Sequence, residues 1–377
     1  MSQQTRVLIY GASGYTGKLV AEQLAKRNIP FYMAGRTQAK LEKAITVVDA
    51  RLEEQGLNVR CKAEVAVAQN TLEELVPLFQ KVDVVINVAG PFMQVAWPIV
   101  EAALEANCHY LDTTGEQDWT DAIRAKFGNE YEEKGLLLSP ANSYMWAAGA
   151  LAAEVVLETE GVDSLDICYQ IDNGLPSEAS TKSFLRMVCN GVSQYYLEQN
   201  EYVAWPNDVK HMVAVPHRNA LLGAHPWGGA CEPIWFKDDP RVRNCKVLTA
   251  IGEQLIDPVI AGIKAYNEQA AHLPAAEREA WTNALGDSMM AYEPEKDCLD
   301  VQRSVITCYG QGRQVTTSLS LNLSAPYTWT GDICAEGAER LLNGQLKKAG
   351  FQSAAQAFGH RELLTRFHEL GFCSLPA

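Results

Sequence analysis

Along the first third of the chain, apolar residues switch between two spacings. Val7–Tyr10 (VLIY) is a short continuous apolar run, the pattern of a strand covered on both faces. Leu19, Val20 and Leu24 then recur at helical spacing up to about Asn28, where Asn28 and Pro30 stop the helix. The same reading predicts a strand at Phe31–Gly35, a helix from Gln38 to about Gln55 and a strand at Val59–Val65. A Thr71/Glu74 capping box opens a helix over Leu72–Phe79, and the apolar run Val82–Val88 predicts the next strand. Helices near Trp97–Ala106 and Ala122–Lys134 alternate with strands at Tyr110–Thr113 and Gly135–Ser139. Six strands with helical crossovers predict an α/β fold on a doubly wound parallel sheet.

Beyond residue 145 the pattern changes. A helix at about Ala147–Glu158 precedes apolar alternation at Leu165–Ile171, and a polar helix is expected at about Thr181–Gln199. Short β-like runs follow at His211–Val215, Cys231–Phe236 and Lys246–Ile251. Val301–Tyr309 and Gln314–Leu323 predict a long antiparallel hairpin. Its second arm, VTTSLSLNL, alternates strictly, so one face is wet or lies at an interface. Helices at about Asp332–Leu346 and His360–Leu370 close the chain. The expected organisation is a nucleotide-binding domain over 1–145, a second α+β domain on a mixed, antiparallel sheet over 146–325, and C-terminal helices over 326–377 packing back on the first domain.

The 377 residues suit two domains, and 47% apolar content gives each a core, which excludes disorder and a disulfide-stapled miniprotein. Lys plus Arg number 32 against 46 Asp plus Glu, a net charge of −14. Such a chain repels phosphate backbones and anionic lipids, so neither nucleic acid nor a membrane surface is an expected partner, while a local basic pocket for a small anion stays open. The ten cysteines form no CxxC and have no histidine at metal-ligand spacing, so they read as reduced thiols of a cytosolic protein without a metal site. The N-terminal apolar run flows straight into a glycine-rich turn and is read as a first strand rather than a signal peptide. Met145–Leu157 is interrupted by Glu154 and is too short to cross a bilayer.

Gly11-Ala12-Ser13-Gly14-Tyr15-Thr16-Gly17 lies between the first strand and the first helix, the context in which a glycine pattern binds a dinucleotide. Gly11 permits the tight turn, Gly14 admits a pyrophosphate to the backbone, and Gly17 lets the helix pack on the strand; the N–H groups at the helix start face the anion. NAD-specific sheets place an acid at the end of strand two, but here Ala34-Gly35-Arg36-Thr37 has no acid before Glu42. Arg36 is placed to pair with a 2′-phosphate, with Ser13, Thr37 and Lys40 adding bonds, so NADP(H) is the expected cofactor; the alternative is a solvated surface arginine. Asn87-Val88-Ala89-Gly90-Pro91 leaves the fourth strand at the ligand-binding edge, to bend past the nicotinamide ribose or to make an ordinary turn.

Asp112 and Glu116, leaving the fifth strand, position substrate or a proton relay, or cap the next helix. Tyr144, after the sixth strand, is a candidate acid or a packed tyrosine. In the second domain His217 or His225 could donate a proton near neutral pH, or be structural. Arg186, Arg218, Arg241 and Arg243 could clamp a carboxylate, or form surface ion pairs. A short-chain-dehydrogenase Tyr-x-x-x-Lys helix is excluded, since its one match, Tyr292 to Lys296, contains Pro294.

GASGYTG, AGR, NVAGPF and HYLDTTGE, in that order within residues 6–116, resemble the saccharopine dehydrogenase-like (saccharopine reductase-type) family, and Ala354–Gly359 resembles that family's ending. The resemblance implies a Rossmann domain, a second domain whose sheet often builds a homodimer, and NAD(P)-dependent oxidoreduction. Family members include amino-acid-condensing reductases and enoyl-reductase-like enzymes. The expectation is hydride transfer to or from an imine, carbonyl or enoyl small molecule, with Tyr144, Asp112 and His217 as candidate catalytic groups, in the crevice between Gly90-Pro91 and the second domain. A non-catalytic NADP(H)-binding redox sensor or scaffold is the alternative from another class.

Overall fold

The computed structural model describes residues 5–189, 194–216, 218–251, 253–289 and 293–375. The chain divides into two units. The first holds the chain up to Thr114, Ala122–Tyr144 and Tyr327–Gly359; the second holds Gly115–Asp121, Met145–Pro326 and the chain from His360 onward.

In chain order the elements begin with β1 (Val7–Tyr10), α1 (Tyr15–Lys26), β2 (Phe31–Gly35), α2 (Gln38–Glu54), β3 (Ala63–Val67), α3 (Leu72–Phe79) and β4 (Val84–Asn87). They continue with α4 (Phe92–Val95), α5 (Trp97–Glu105), β5 (His109–Asp112), α6 (Gln117–Glu133), β6 (Leu137–Ser139) and α7 (Tyr144–Val156). Next come β7 (Val162–Asp172), α8 (Glu178–Cys189), β8 (Tyr195–Glu198), β9 (Glu201–Ala204), β10 (His211–Ala214), β11 (Leu221–Ala224), α9 (Glu232–Trp235) and β12 (Asn244–Ala250). After α10 (Glu253–Gln269), α11 (Ala275–Met289), β13 (Arg303–Gly312) and β14 (Thr316–Ser324), the chain ends in α12 (Pro326–Leu342), β15 (Gly350–Phe351), α13 (Ala354–Phe358) and α14 (His360–Glu369).

The first unit carries the expected doubly wound sheet, parallel throughout, in the order β15-β6-β5-β4-β1-β2-β3. VLIY and VVIN, the two central strands, are wholly buried, which is why they read as continuous apolar runs. Registers Tyr10↔Ala34, Tyr10↔Asn87 and Asn87↔Asp112 bring the carboxyl ends of β2, β1, β4 and β5 level, so their following loops share one edge. Strand order reverses at β1, between β2 and β4, which is the switch point where such sheets bind ligands.

Several expectations are corrected. The third strand is Ala63–Val67 rather than Val59–Val65; it is a sheet edge with no fully buried residue, so its apolar signal is weak. Thr71 makes no capping bond, and Glu74 accepts instead from the Gln69 N–H at 2.7 Å. A seventh strand, β15, is only two residues long and too short to show a period. In the second unit Cys231–Phe236 is no strand but the helical turn α9, with Pro233 in its first turn. The polar helix ends at Cys189, and Tyr195–Glu198 is a strand paired with β9 and β12. Helix α11 buries only Thr282 and Gly286, so no apolar stripe announced it.

The second unit is a mixed sheet, β14-β13-β7-β12-β8-β9, in which β7 and β12 are parallel and the other pairs antiparallel, plus the ribbon β10-β11. Two of its buried ionisable side chains, Glu232 and His225, shape its response to pH. Glu232 is fully buried with Oε1 2.7 Å from the Tyr169 hydroxyl, and burial pushes its carboxyl up to about 8. His225 is buried; its Nδ1 accepts from the Trp227 N–H at 3.0 Å and its Nε2 donates to the Asn207 carbonyl at 2.8 Å. Burial pushes it down to about 4. With both ring nitrogens used internally, His225 holds a loop.

The two groups act on stability in opposite directions. Native Glu232 keeps a proton that the unfolded chain releases near 4.5, so stability falls as pH rises towards 8, by roughly 5 kcal/mol. Native His225 stays neutral where the unfolded chain protonates near 6.5, so stability falls as pH drops towards 4, by roughly 3 kcal/mol. Urea unfolding should therefore give a plateau between pH 4.5 and 6.5 with a decline on each side, and Glu232→Gln should remove most of the alkaline decline.

Candidate functional site

Where β1 ends, Gly11 turns the chain with φ 84°, a conformation that strains any L side chain. The N–H groups of Gly11 and Ala12 both donate to the Ala34 carbonyl, at 3.0 and 3.2 Å, which pins the turn against β2. A Cβ on Gly11 would lie 2.9 Å from the Ala89 nitrogen, and one on Gly17 would lie 2.6 Å from the Ala12 backbone. Both glycines are therefore required by contact between backbones. Gly14 differs: its φ is −74°, and a Cβ there would meet nothing nearer than the Gly11 oxygen at 3.4 Å. Folding does not require glycine at position 14. The position opens the N-terminus of α1, whose first turn has no acidic residue and whose N-cap, Gly14, has no side chain to bond it. Ser13 offers its carbonyl to Lys18 Nζ at 3.5 Å, Tyr15 meets the ring of Tyr327 edge-on at 5.0 Å, and Thr16 is half-buried.

Arg36, Thr37 and Lys40 are exposed where β2 passes into α2. Thr37 is the N-cap of α2 and makes no side-chain capping bond, and the first turn of that helix is also free of acids. Neither Arg36 nor Lys40 pairs with a carboxylate among the described residues. Burial pushes the Tyr10 phenol up, and the nearby Arg36 charge opposes that push.

The third loop is held from below. Buried Asn87 accepts from the Ala89 N–H at 3.0 Å through Oδ1 and donates Nδ2–H to the Tyr110 hydroxyl at 3.0 Å. Gly90 and Pro91 follow, half-buried, and Pro91 is the N-cap of α4. Tyr110 is buried, which pushes its phenol well up; it also bonds Asp112, whose charge adds to the shift. Asp112 is buried, and its Oδ1 accepts from the Thr114 N–H at 3.0 Å and the Ala141 N–H at 2.9 Å. Its backbone carbonyl accepts from the Asn142 N–H at 2.7 Å. Tyr144 is buried at the start of α7, its N–H donating to Thr330 Oγ1 of α12 at 2.9 Å.

The first unit thus gathers Gly11, Ser13, Gly14, Tyr15, Thr16, Gly17, Arg36, Thr37, Lys40, Asn87, Ala89, Gly90 and Pro91 on one sheet edge, with Asp112 and Tyr144 beyond β5 and β6 on that edge. His217 lies outside the described residues. Glu116 belongs to the second unit, where it bonds Arg186 at 2.5 Å and Ser183 at 2.8 Å. Arg218 pairs with Asp172, and Arg241 with Glu154 and Asp239, so these arginines are ion-pair partners. Sequence spacing assigns no role to Tyr110 or Asn142. The signal for Tyr110 was there: two residues before Asp112 on one strand, it must share that residue's face.

A seven-stranded parallel sheet with a glycine-rich turn at its switch point defines a dinucleotide-binding α/β protein. Residues 7–136 match the saccharopine dehydrogenase NADP binding domain. Residues 147–377 match a family of unknown function, DUF5938, and the chain belongs to that family. A lipid droplet localized protein of Caenorhabditis elegans is 27% identical over 139 residues, which are 36% of this chain and 32% of that protein. A saccharopine dehydrogenase-like oxidoreductase of Mus musculus is 25% identical over 148 residues, 37% of this chain and 34% of the relative. A trans-acting enoyl reductase of Mycobacterium ulcerans is 29% identical over 116 residues, 30% of this chain and 26% of the relative. The match spans about a third or less of each relative's length. The solved structure of saccharopine dehydrogenase (L-Glu forming) from Saccharomyces cerevisiae aligns over 98% of both chains with a TM-score of 0.60 and 12% identity, which shows a shared fold. The resemblance carried by the nucleotide-site motifs is borne out. Among the described residues no helix is long and apolar enough to cross a membrane.

Asp112→Ala would leave the N–H groups of Thr114 and Ala141 without their acceptor. We expect urea unfolding to show a loss of about 2–4 kcal/mol, and a clearly smaller loss in Asp112→Asn, which keeps an oxygen at Oδ1.

Proposed function

We propose that the chain is an NADP(H)-dependent oxidoreductase that passes hydride to or from an imine, carbonyl or enoyl carbon of a small-molecule substrate. The observation that carries this reading is Gly14: its missing side chain answers to no contact within the protein, yet it opens the start of α1 to an anion. The surrounding residues fit the cofactor. Ser13, Gly14, Tyr15 and Thr16 would hold the pyrophosphate, and Gly11 and Gly17 keep that backbone close to the sheet. Arg36, Lys40 and Thr37 would hold the 2′-phosphate, two cations with no carboxylate partner among the described residues and an uncapped helix start, in a chain of net charge −14. Asn87, Ala89, Gly90 and Pro91 would carry the nicotinamide half, with Asn87 fixing the Ala89 N–H.

Bound NADP(H) supplies or accepts the hydride; the protein supplies orientation and a proton. We assign the proton to the Tyr144 hydroxyl, on the loop edge that Asp112 organises. Asp112 is then a positioning residue, since its Oδ1 is already taken by two backbone N–H groups. The reading extends to a cytosolic homodimer: all ten cysteines are free thiols, as a reducing compartment keeps them, and the family resemblance supports the dimer.

Fluorescence titration tests the cofactor assignment. The native protein should bind NADPH at least about 10-fold more tightly than NADH, and Arg36→Gln should weaken NADPH roughly 10- to 100-fold with little effect on NADH. Gly14→Ala should keep the thermal midpoint but lose both nucleotides. Equal native affinities would sink the 2′-phosphate assignment, and no binding of either would sink the oxidoreductase reading. A turnover screen of NADPH with keto acids plus amines, and with enoyl thioesters, tests catalysis. On the substrate found, Tyr144→Phe should lower kcat by about 10²- to 10⁴-fold with NADPH affinity unchanged.

A further inference from the structure

In the second unit α8 and α10 pack through Phe184, Leu185, Val188, Val259, Ile263 and Tyr266, and α11 packs against them through Trp281 and Leu285. Beside this cluster lies a cleft of about 100 Å³, lined by Arg186, Tyr266, Ala275, Arg278, Glu279 and Thr282. It shares no residue with the nucleotide site.

The cleft gathers hydrogen-bond donors that have no partner among the described residues. The Arg186 side chain is 4% exposed. Its terminal nitrogens are taken, one by Asp118 at 2.9 Å, the other by Glu116 at 2.5 Å and Asp118 at 2.7 Å. Its Nε is buried and has no acceptor among the described residues, an arrangement native structures rarely leave unanswered. Arg278 is half-buried and forms no ion pair among the described residues. Glu279, its neighbour in the same cleft, forms no ion pair among them either. The Arg278 charge reaches Tyr266, where it opposes the upward push of burial on the phenol. The Tyr266 hydroxyl has no hydrogen-bond partner among the described residues, whereas Thr282 spends its hydroxyl on the Glu279 carbonyl at 3.0 Å.

We propose that this cleft is a binding site for a small carboxylate that carries a hydrogen-bond donor of its own. Arg278 offers its planar fork to the carboxylate, and Arg186 Nε–H and the Tyr266 hydroxyl complete the donor set. Glu279 is the one acceptor side chain with a full charge in the lining, and it takes the ligand's donor. Charge sets the class. Arg186 with its two carboxylates carries a net charge of −1 and Arg278 with Glu279 cancels, so the lining has no surplus positive charge for a dianion. A singly charged hydroxy-carboxylate matches this arrangement and a phosphate does not.

The test titrates the full chain with glycolate, acetate and inorganic phosphate, each against sodium chloride of equal ionic strength, read by NMR line broadening of the ligand. Glycolate should saturate, acetate should bind several-fold more weakly, and phosphate weaker still. Arg278→Gln should raise the glycolate Kd at least 10-fold, and Tyr266→Phe several-fold. Glu279→Gln should leave acetate unchanged and remove the advantage of glycolate. Tyr266→Phe keeps the ring against Trp281 and decides the matter if Arg278→Gln melts early. Binding no stronger than chloride, a glycolate Kd unmoved by Arg278→Gln or Tyr266→Phe, or phosphate binding tighter than glycolate would each overturn the proposal. None of these results depends on nucleotide binding, so failure here leaves the oxidoreductase reading intact, and the reverse also holds.

Discussion

Asp112 holds the Thr114 and Ala141 N–H groups on one carboxylate oxygen, and the ligand-facing edge of the first unit is built outward from those two bonds. Through Tyr110 and Asn87 the same polar chain reaches the Ala89 N–H, so the loops after β4, β5 and β6 share one buried network. A buried carboxylate satisfied by backbone donors is a stiff anchor, because releasing either partner strands a polar group away from water. The glycine-rich turn joins the same assembly by contact: Gly11 presses on Ala89, so the turns after β1 and β4 cannot move independently.

The C-terminal return of the chain is held by charge and by small residues. Arg27, 7% exposed at the end of α1, bonds Asp332 at 2.8 Å, Glu336 at 3.4 Å and Glu339 at 3.1 Å, all on α12. Gly331 lets α12 approach the backbone of Leu19, where a Cβ would come to 2.8 Å. Three carboxylates spaced for one helical face meet one buried guanidinium, so pairing fixes the rotation of α12 about its axis more than it adds stability.

The parts of the fold legible in the sequence are those where burial on both faces forces a continuous apolar run. VLIY and VVIN announce the two central strands because nothing polar could sit there. Edge β3 is only loosely legible for the complementary reason, since none of it is fully buried and its sequence is free to vary, and two-residue β15 is too short to show a period. Helix α11 hides because its buried positions are a threonine and a glycine. Of the candidate site, the glycine turn, Arg36 and the Asn87–Pro91 loop could be located from spacing alone. The bonding that makes Asp112 an anchor could not, since its partners Thr114 and Ala141 are two and 29 residues away and contribute only backbone. Glu116 lay on the expected loop, yet its partner Arg186 is 70 residues distant, and no local pattern links them.

The three glycines of the turn are under different obligations. At positions 11 and 17 a side chain would collide with backbone, so any descendant that still folds must keep them small. At position 14 there is room. On the proposed function, a lineage that abandoned nucleotide binding would drift at Gly14 first while Gly11 and Gly17 stayed fixed, leaving a turn that looks intact by its outer glycines and is silent at its centre. Residue 14 is therefore the position in this motif that records use rather than architecture.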